Sequence, residues 1–382
     1  MATSSAQATS PNFHPVDFTT LGMFIIDDIE FDDPPRVVSD VIGGAAAFAA
    51  CAARMVAGKQ YGQRISWVVD AGTDFPDHIR DKLDSWGVDT VFRPNPDRLT
   101  TRSWNGYKKD TDEERHFKYL TPKRRLEAPD LNESQLMAKG FHIISYPGRA
   151  VAIVKDIMQR REEIIRQRNL NANDFPRPKF IWEPVPDRCV PEERAAVEEA
   201  CRYVDVVSPN ELELGSLFFG RGSWSPSNPT DVAEAHKLLE SGIGPDGNGL
   251  LVVRMGKYGC CVLSKEKCSI LPAYQYAKVI DPTGGGNSFL GGFTQALVTP
   301  DRPPVSDIIA RMKGMENWAD VVREWEGCLE IPAALACGTI AASFIIEQLG
   351  TPVPCSEEEG DKWNGEVYVE RLQRYLEARK VQ

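Results

Sequence analysis

From residue 141 onward, continuous apolar runs alternate with helix-like segments, and this alternation restricts the fold more than any other feature of the sequence. The runs do not alternate between apolar and polar residues, so both faces of each strand should be buried. Strands of this kind lie in a sheet that helices cover on both sides. The pattern therefore predicts an α/β fold with a central, mostly parallel sheet. The runs are FHIIS, KFIWEP, DVVSPN and LLVVRMG, and the helical segments are VAIVKDIMQRREEIIRQ, EERAAVEEACRYV and VAEAHKLLESG.

The first third of the chain predicts a second, smaller β structure. Residues 19–26, TTLGMFII, are apolar enough for one buried strand. Residues 28–40 and 99–119 then combine extended segments with turns, at DPP and at KKDTDEE, as exposed hairpins do. We expect residues 1–18, which are rich in Ser, Thr and Ala, to be disordered. Residues 19–382 should form a single domain with a small β extension.

Composition excludes several classes of partner. The 382 residues carry a formal net charge of −11, which leaves no basic excess for a nucleic-acid backbone. The longest uncharged run, residues 331–346, is too short for a membrane span. The nine cysteines form no CxxC pair and no Cys/His cluster, and the first residues lack secretory or transit features. We therefore expect a cytoplasmic protein with reduced thiols, without a nucleic-acid or membrane partner.

The sequence DPTGGGNSFLGG, residues 281–292, is the strongest candidate for chemistry. Three glycines precede an apolar helix-like run, where backbone N–H groups and the positive end of a helix dipole can meet an anion. Taken alone, such a loop is at least as often a tight turn. The P-loop pattern GxxxxGK[ST] is absent, and a dinucleotide fingerprint starting at Gly284 would need glycine at Phe289. Both absences count against those two nucleotide-binding classes, including a dinucleotide-dependent oxidoreductase.

The loop resembles the signature DTxGAGD of the PfkB-type, ribokinase-like family of sugar and nucleoside kinases. Asp281, Gly284 and Gly286 match the signature, whereas Pro282, Gly285 and Asn287 depart from it. Further family elements come in the expected order: GxxxxD at 22–27, a glycine pair at 43–44, SPNELE like the family's PNxxE, and VVRMGKYGC like its strand and turn. The resemblance covers residues 19–350, and its order makes it more specific than any single motif. The GGGN sequence resembles the fungal maintenance-of-killer-like members.

This resemblance implies a ribokinase-like fold and transfer of the γ-phosphoryl group of ATP to a hydroxyl of a sugar-like small molecule. The glycine loop would form the anion hole, where N–H groups stabilise charge that develops during transfer. The residues of that anion hole would be Gly284, Gly285 and Gly286. The substrate-binding residues would be Asp27, Gly43 and Gly44, with Asp28 as a competitor for the role of Asp27.

The resemblance also implies a nucleotide side and a lid. Asn210, Gly256 and Gly259 would bind the nucleotide, and Glu213 would help to organise Mg²⁺ and its waters. Judged without the family, Asn210 is a turn residue, Glu213 a solvated helical residue and the two glycines ordinary turn residues. The small-residue segment 333–342 would pack closely, near the adenine. Residues 28–40 and 99–119 would form a β lid, which pairs two subunits in many members.

Three departures leave two functions open. Asn287 stands where the family has its catalytic Asp, and an amide cannot accept a proton near neutral pH. Phe48 replaces a sugar-binding Asn, and WEPVPD keeps an acid, Glu183, but places Val185 at another Asn position. The first function is a carbohydrate-kinase-like phosphotransferase with an unusual acceptor. The second is a catalytically impaired relative that binds a nucleotide or metabolite and acts as a regulator.

Overall fold

The computed structural model describes residues 13–32, 34–107, 115–355 and 361–380. Its strands are β1 (Phe18–Thr20), β2 (Ile25–Asp32), β3 (Pro35–Gly43), β4 (Ser66–Ala71), β5 (Asp89–Pro94), β6 (Arg102–Tyr107), β7 (Arg115–Tyr119), β8 (Gly140–Ser145), β9 (Lys179–Pro184), β10 (Val206–Val207), β11 (Leu250–Arg254), β12 (Cys260–Leu263), β13 (Cys268–Leu271), β14 (Lys362–Trp363) and β15 (Glu366–Val367). Its α-helices are α1 (Ala45–Tyr61), α2 (Asp77–Asp84), α3 (Glu133–Leu136), α4 (Pro147–Gln167), α5 (Arg194–Cys201), α6 (Glu211–Phe219), α7 (Pro229–Ser241), α8 (Gly285–Leu297), α9 (Val305–Gly314), α10 (Ala319–Glu324), α11 (Glu330–Ile345) and α12 (Tyr368–Ala378). In these ranges, no helix is both long enough and apolar enough to cross a membrane.

A mostly parallel sheet forms the centre of the molecule. In the described ranges its strand order is β1-β8-β9-β10-β11-β12-β13, parallel from β1 to β11 and antiparallel at β12 and β13. The parallel pair β4–β5 joins it through a bridge between Phe18 and Ile65. Successive side chains enter opposite faces, so Cys260 lies in one apolar cluster and Cys261 in the other. The predicted α/β fold, with a sheet covered on both sides, is confirmed.

A second sheet, with the strand order β3-β2-β6-β7, forms the small β lid. β2 pairs with β3 in the antiparallel sense and with β6 in the parallel sense. A β-bulge interrupts the pairing of β2 with β3 between Asp27 and Ile29. Strands from the segments 28–40 and 99–119 therefore lie in one sheet. The predicted turn at KKDTDEE, residues 108–114, lies outside the described residues.

Two predictions about the beginning of the chain are wrong. Residues 19–26 are not one strand, because β1 belongs to the central sheet and β2 to the lid. The chain changes sheet near Gly22, where a Cβ would lie 2.7 Å from the backbone nitrogen of Ala46. Asp17, in the segment predicted to be disordered, is buried and accepts a hydrogen bond of 2.6 Å from Arg64 Nε. The ordered chain thus begins before residue 18, and residues 1–12 lie outside the described ranges.

Three helices of small residues hold the candidate site in place. A Cβ on Gly291 of α8 would lie 2.6 Å from the Cα of Ala49 in α1. A Cβ on Gly338 of α11 would lie 2.5 Å from the carbonyl oxygen of Phe289 in α8. The helices therefore touch through their backbones, which confirms the close packing predicted for segment 333–342. This packing fixes the first turn of α8 against the rest of the core.

Candidate active site

The glycine loop leads into α8, and its first residue is a glycine for a structural reason. Gly284 has a φ of +80°, a backbone conformation that L side chains rarely adopt. A Cβ at this position would also overlap the ring of Phe48. The loop is braced by Asp281, whose Oδ1 accepts hydrogen bonds from the backbone N–H of Thr283 at 2.9 Å and the Tyr107 hydroxyl at 3.0 Å. Tyr107 belongs to β6, so the lid is bonded to the loop.

The first turn of α8 presents backbone donors. The N–H of Gly285 already donates a hydrogen bond to the carbonyl oxygen of Pro282 at 3.1 Å. No side chain caps the helix at Gly284. The N–H groups of Gly286 and Asn287 have no partner within the described ranges. Together with the helix dipole, these two groups form a site suited to an anion. That Gly284, Gly285 and Gly286 form an anion hole stays a prediction, and the Gly285 N–H is not free to contribute to it in this geometry.

Asn287 is held by a buried polar chain. Its Nδ2 donates to Glu183 Oε2 at 2.7 Å, and His142 Nε2 lies 3.2 Å from the same oxygen. The other oxygen of Glu183 receives Arg254 Nη1 at 2.8 Å. Burial alone would raise the pKa of Glu183, but Arg254 and these hydrogen bonds lower it below its usual range. Glu183 is therefore an ionised acceptor that fixes the amide nitrogen, and it turns the amide oxygen of Asn287 away from itself.

Asn210 and Glu213 form a capping box at the start of α6. The Asn210 side chain accepts from the Glu213 N–H at 2.7 Å, and Glu213 Oε2 accepts from the Asn210 N–H at 2.8 Å. Glu213 Oε2 also receives Arg254 Nη2 at 3.2 Å. Burial raises the pKa of Glu213 to about 7, although Arg254 opposes the shift. Asn210 thus has a local capping role, whereas the interpretation of Glu213 as a solvated residue is wrong.

The residues predicted for the nucleotide side come together around one cavity of about 640 Å³. Its wall includes Asn210, Gly256, Gly259, Arg254, the first turn of α8, and Thr339 and Ala342 of α11. Gly259 is required by its turn, since it has a φ of +94° and a Cβ there would lie 2.6 Å from the Ala273 nitrogen. A cavity of this size and mixed lining suits a nucleotide. That these residues bind one stays a prediction.

The residues predicted for the acceptor side surround a cavity of only about 10 Å³, room for about one water molecule. Phe48, Tyr107 and Asp27 line it, whereas Asp28 does not. Asp27 is buried and accepts a hydrogen bond from the Ser103 hydroxyl. Gly43 leaves space for this carboxylate, because a Cβ there would overlap Asp27 Oδ2. The acceptor side is therefore formed but closed.

Gly44 contributes to the backbone and not to the wall of the acceptor cavity. It is the N-cap of α1 with a φ of +83°, and a Cβ there would lie 2.8 Å from the backbone nitrogen of Ile25. The glycine pair therefore lets α1 begin directly behind the lid. Its predicted role in substrate binding is indirect in this geometry.

The site fits ATP better than it fits a directly bound Mg²⁺. In the described part of the chain, no group of three or more His, Cys, Asp or Glu side chains is arranged to hold a metal ion. The two nearby carboxylates, Glu183 and Glu213, are already bonded to Arg254. Mg²⁺ in phosphate-transfer sites is commonly held by one or two carboxylates together with the phosphates. Glu183 and Glu213 are thus held by Arg254, while the carboxylate of Glu211 lies on the cavity wall.

Sequence reasoning missed several residues of the site. The sequence motifs single out none of His142, Arg254, Tyr107 and Ser103. A usable signal existed for two of them, because Arg254 ends the apolar run of β11 and His142 interrupts that of β8. A charged or polar residue in or at the end of a buried strand commonly faces the functional edge of an α/β sheet.

A parallel sheet, a four-stranded lid and a glycine-capped helix N-terminus together define a ribokinase-like α/β protein. A ribokinase from Giardia lamblia superposes with a TM-score of 0.62 over 88% of this chain and 94% of its own, at 16% identity. A putative ribokinase II from E. coli, in complex with ATP and Mg²⁺, superposes with a TM-score of 0.58. The superposition covers 95% of this chain and 99% of the E. coli chain, at 18% identity. At these identities, the likeness concerns the fold.

The sequence relatives identify the family. Residues 32–357 match the pfkB family carbohydrate kinases. The chain is 35% identical over 380 residues to an uncharacterized protein of Schizosaccharomyces pombe, and 31% identical over 385 residues to protein MAK32 of Saccharomyces cerevisiae. Each alignment covers 95% of this chain and 93% of the relative. The protein belongs to the pfkB family of carbohydrate kinases, and the predicted resemblance to maintenance-of-killer-like members is confirmed.

Proposed function

We propose that this protein is an ATP-dependent phosphotransferase of the carbohydrate kinase type, acting on a hydroxyl of a sugar-like small molecule. The observation that carries the proposal is the cavity of about 640 Å³ onto which the glycine loop, the α6 cap and the turn after β11 all open. The family relationship and the fold shared with an ATP complex support the same function.

Transfer would depend on positioning and electrostatics. The N–H groups of Gly286 and Asn287 would meet the transferred phosphoryl group, where the α8 dipole adds partial positive charge. The amide oxygen of Asn287 would orient the acceptor hydroxyl, although it cannot remove the proton. Because the transition state of phosphoryl transfer is loose, slow turnover survives without a base, at a cost of about 10²- to 10⁴-fold in rate.

The acceptor can bind only if the cavity beside Asp27 widens. Asp27 would bind its hydroxyls, but the cavity beside Asp27 holds about 10 Å³. Phe48 and Tyr107 occupy the space that a sugar would need, and Tyr107 is bonded to Asp281. Turnover would therefore include a lid movement that breaks this bond.

A second candidate is a regulatory protein that binds ATP or another nucleotide without phosphorylating a small molecule. Two observations favour it: Asn287 replaces the carboxylate that accepts the proton, and the acceptor cavity is closed. The regulator would share the nucleotide site with the kinase and would differ from it only in lacking phosphoryl transfer after the nucleotide has bound.

Turnover assays separate the two candidates. Calorimetry first establishes ATP binding, and ADP release is then measured over a broad panel of sugars and nucleosides. Acceptor-dependent ADP release supports the kinase, and binding without release on any acceptor supports the regulator. The substitution Asn287→Asp is assayed on the same panel, and a gain of turnover would identify the missing base as the limiting defect. Absence of nucleotide binding would reject both.

Two further properties remain predictions. The family resemblance predicts that two copies pair through the lid. The sequence predicts a cytoplasmic location.

A further inference from the structure

Arg254 lies on the wall of the large cavity, beside the first turn of α8. It is the last residue of β11. A Cβ on Gly286 would overlap Arg254 Nη1, so the guanidinium lies directly against the first turn of α8. Its positive charge therefore adds to the partial charge of the helix N-terminus. Glycine at 286 is what allows this approach.

The guanidinium has donors left after its contacts with the protein. Nη1 donates to Glu183 at 2.8 Å, and Nη2 is within hydrogen-bond distance of the Ser208 carbonyl at 3.0 Å and of Glu213 at 3.2 Å. A guanidinium carries five N–H groups, so these contacts use three. Nε is fully buried and has no hydrogen-bond partner in the described ranges. The second N–H of Nη1 is likewise unused, beside the unpartnered N–H of Gly286.

Arg254 also explains why the carboxylates form no metal site. A cation that enters between Glu183 and Glu213 would have to displace a guanidinium already bonded to both. A guanidinium fixed at this position would neutralise phosphate charge, as a bound cation does in other phosphate-binding sites. The negative charge of Glu183 offsets the charge of Arg254 only in part, because the carboxylate also accepts hydrogen bonds from His142 and Asn287.

We infer that Arg254, rather than a protein-bound Mg²⁺, supplies the charge that binds the terminal phosphates of the nucleotide. This rests on the proposed nucleotide site and extends it. Nucleotide binding then needs no divalent cation and depends on the guanidinium. Adenosine, which lacks phosphates, binds independently of Arg254.

Calorimetric titration of ATP and of adenosine tests this inference. For the wild type, we expect the ATP dissociation constant in excess EDTA to stay close to its value in Mg²⁺. For Arg254→Met, we expect ATP affinity to fall by about 10- to 100-fold, the effect of losing a hydrogen bond to a charged group, with adenosine affinity unchanged. The control is Lys265→Met, which removes an exposed cation from the turn between β12 and β13, outside the cavity wall, and should leave ATP affinity nearly unchanged.

Arg254→Met leaves two buried carboxylates without their cation, so folding is checked by thermal unfolding. If it does not fold, the double variant Arg254→Met/Glu213→Gln removes one of those charges, and the wild-type comparison with and without Mg²⁺ needs no substitution. The inference is overturned if wild-type ATP binding disappears in EDTA, or if a folded Arg254 variant binds ATP as the wild type does. Both results leave the proposed function intact, whereas failure of the wild type to bind ATP under any condition removes both.

Discussion

Asn287 is fixed by a carboxylate, and this determines what its replacement does to stability. In Asn287→Asp, the donor to Glu183 at 2.7 Å becomes a second acceptor. We expect the free energy of unfolding to fall by about 1–3 kcal/mol near pH 8, because two buried carboxylates then face each other without a shared proton. Urea unfolding measures the loss.

The control for Asn287→Asp is the double variant with Glu183→Gln. The new glutamine restores a donor opposite the new carboxylate, so the double variant should recover part of the loss. If Asn287→Asp alone is as stable as the wild type near pH 8, the bond from Asn287 to Glu183 does not contribute as described.

Glu213 makes stability depend on pH. Burial raises its pKa from 4.5 to about 7 in the folded protein. A group whose pKa is raised by folding contributes stability below its unfolded pKa and loses it as the pH rises through the folded value. Between about pH 4.5 and 7, this group should therefore cost the protein up to about 3 kcal/mol.

The substitution Glu213→Gln isolates this contribution. An amide oxygen can still accept from the Asn210 N–H, but it carries no charge to bury. We expect the variant to gain stability relative to the wild type as the pH rises from 5 to 8, measured by urea unfolding. The control is Glu211→Gln on the same helix. A difference between Glu213→Gln and wild type that is constant over this range would contradict the assignment. The charged or titratable groups that face Glu213 are Arg254, Glu183, Glu211 and Cys189.

At the scale of elements, α8 is positioned by direct backbone contact with α1. In Gly291→Ala the new methyl group would lie 2.6 Å from the Cα of Ala49 and overlap its carbonyl oxygen. We expect a loss of about 1–3 kcal/mol in unfolding free energy from overpacking, together with weaker ATP binding, since the first turn of α8 shifts. Gly314→Ala in α9 is the matched control. It meets no atom within 4 Å, so its effect on stability should be small or favourable, up to about 1 kcal/mol. Equal losses in both variants would contradict the proposed packing of α8 on α1.

The elements differ in how much of them the sequence predicts. The cap at Asn210 depends on neighbours within four residues, so its Asn-x-x-Glu spacing is visible locally. The glycines of the loop 281–286 are visible in the sequence as well, although their contacts with Phe48 and Arg254 are not. The chain of His142, Glu183 and Asn287 joins three separate elements, and only the strand order brings them together. For the same reason, the switch of sheets near Gly22 is invisible in an apolar run, because packing against α1 decides it.

At the scale of the whole molecule, the Tyr107 hydroxyl joins the lid to the glycine loop, where it lies within hydrogen-bond distance of Asp281 and Thr283. The Tyr107 hydroxyl donates to Asp281 at 3.0 Å, and its ring stacks on Phe31 with centroids 5.2 Å apart. Tyr107→Phe keeps the stacking and removes the bond. We expect amide hydrogen exchange in β6 and β7 to become about fivefold faster, the effect of losing about 1 kcal/mol.

Tyr119→Phe is the control for the lid. Tyr119 lies in the neighbouring strand β7, and its hydroxyl has no hydrogen-bond partner among the described residues. Exchange in the lid should therefore match the wild type. If Tyr107→Phe leaves exchange unchanged as well, the bond to Asp281 does not hold the lid closed.

The two sides of the candidate site differ in how far the sequence predicts them. The family order of the motifs singles out the glycine loop and the residues predicted for the nucleotide side, and these residues meet at one cavity. Phe48 and Asn287, which depart from the family's Asn and Asp, also predict that the acceptor side differs from that of the family. The closure of that side to about 10 Å³ depends on Tyr107 reaching across from the lid, which no local pattern encodes.

The nucleotide site is tested most directly by a calorimetric titration of ATP into the wild-type protein. We predict saturable binding of one ATP per chain in the cavity of about 640 Å³, with adenosine binding more weakly at the same site. Absence of saturable ATP binding up to millimolar concentration, in a protein shown to be folded, would contradict the proposed nucleotide site.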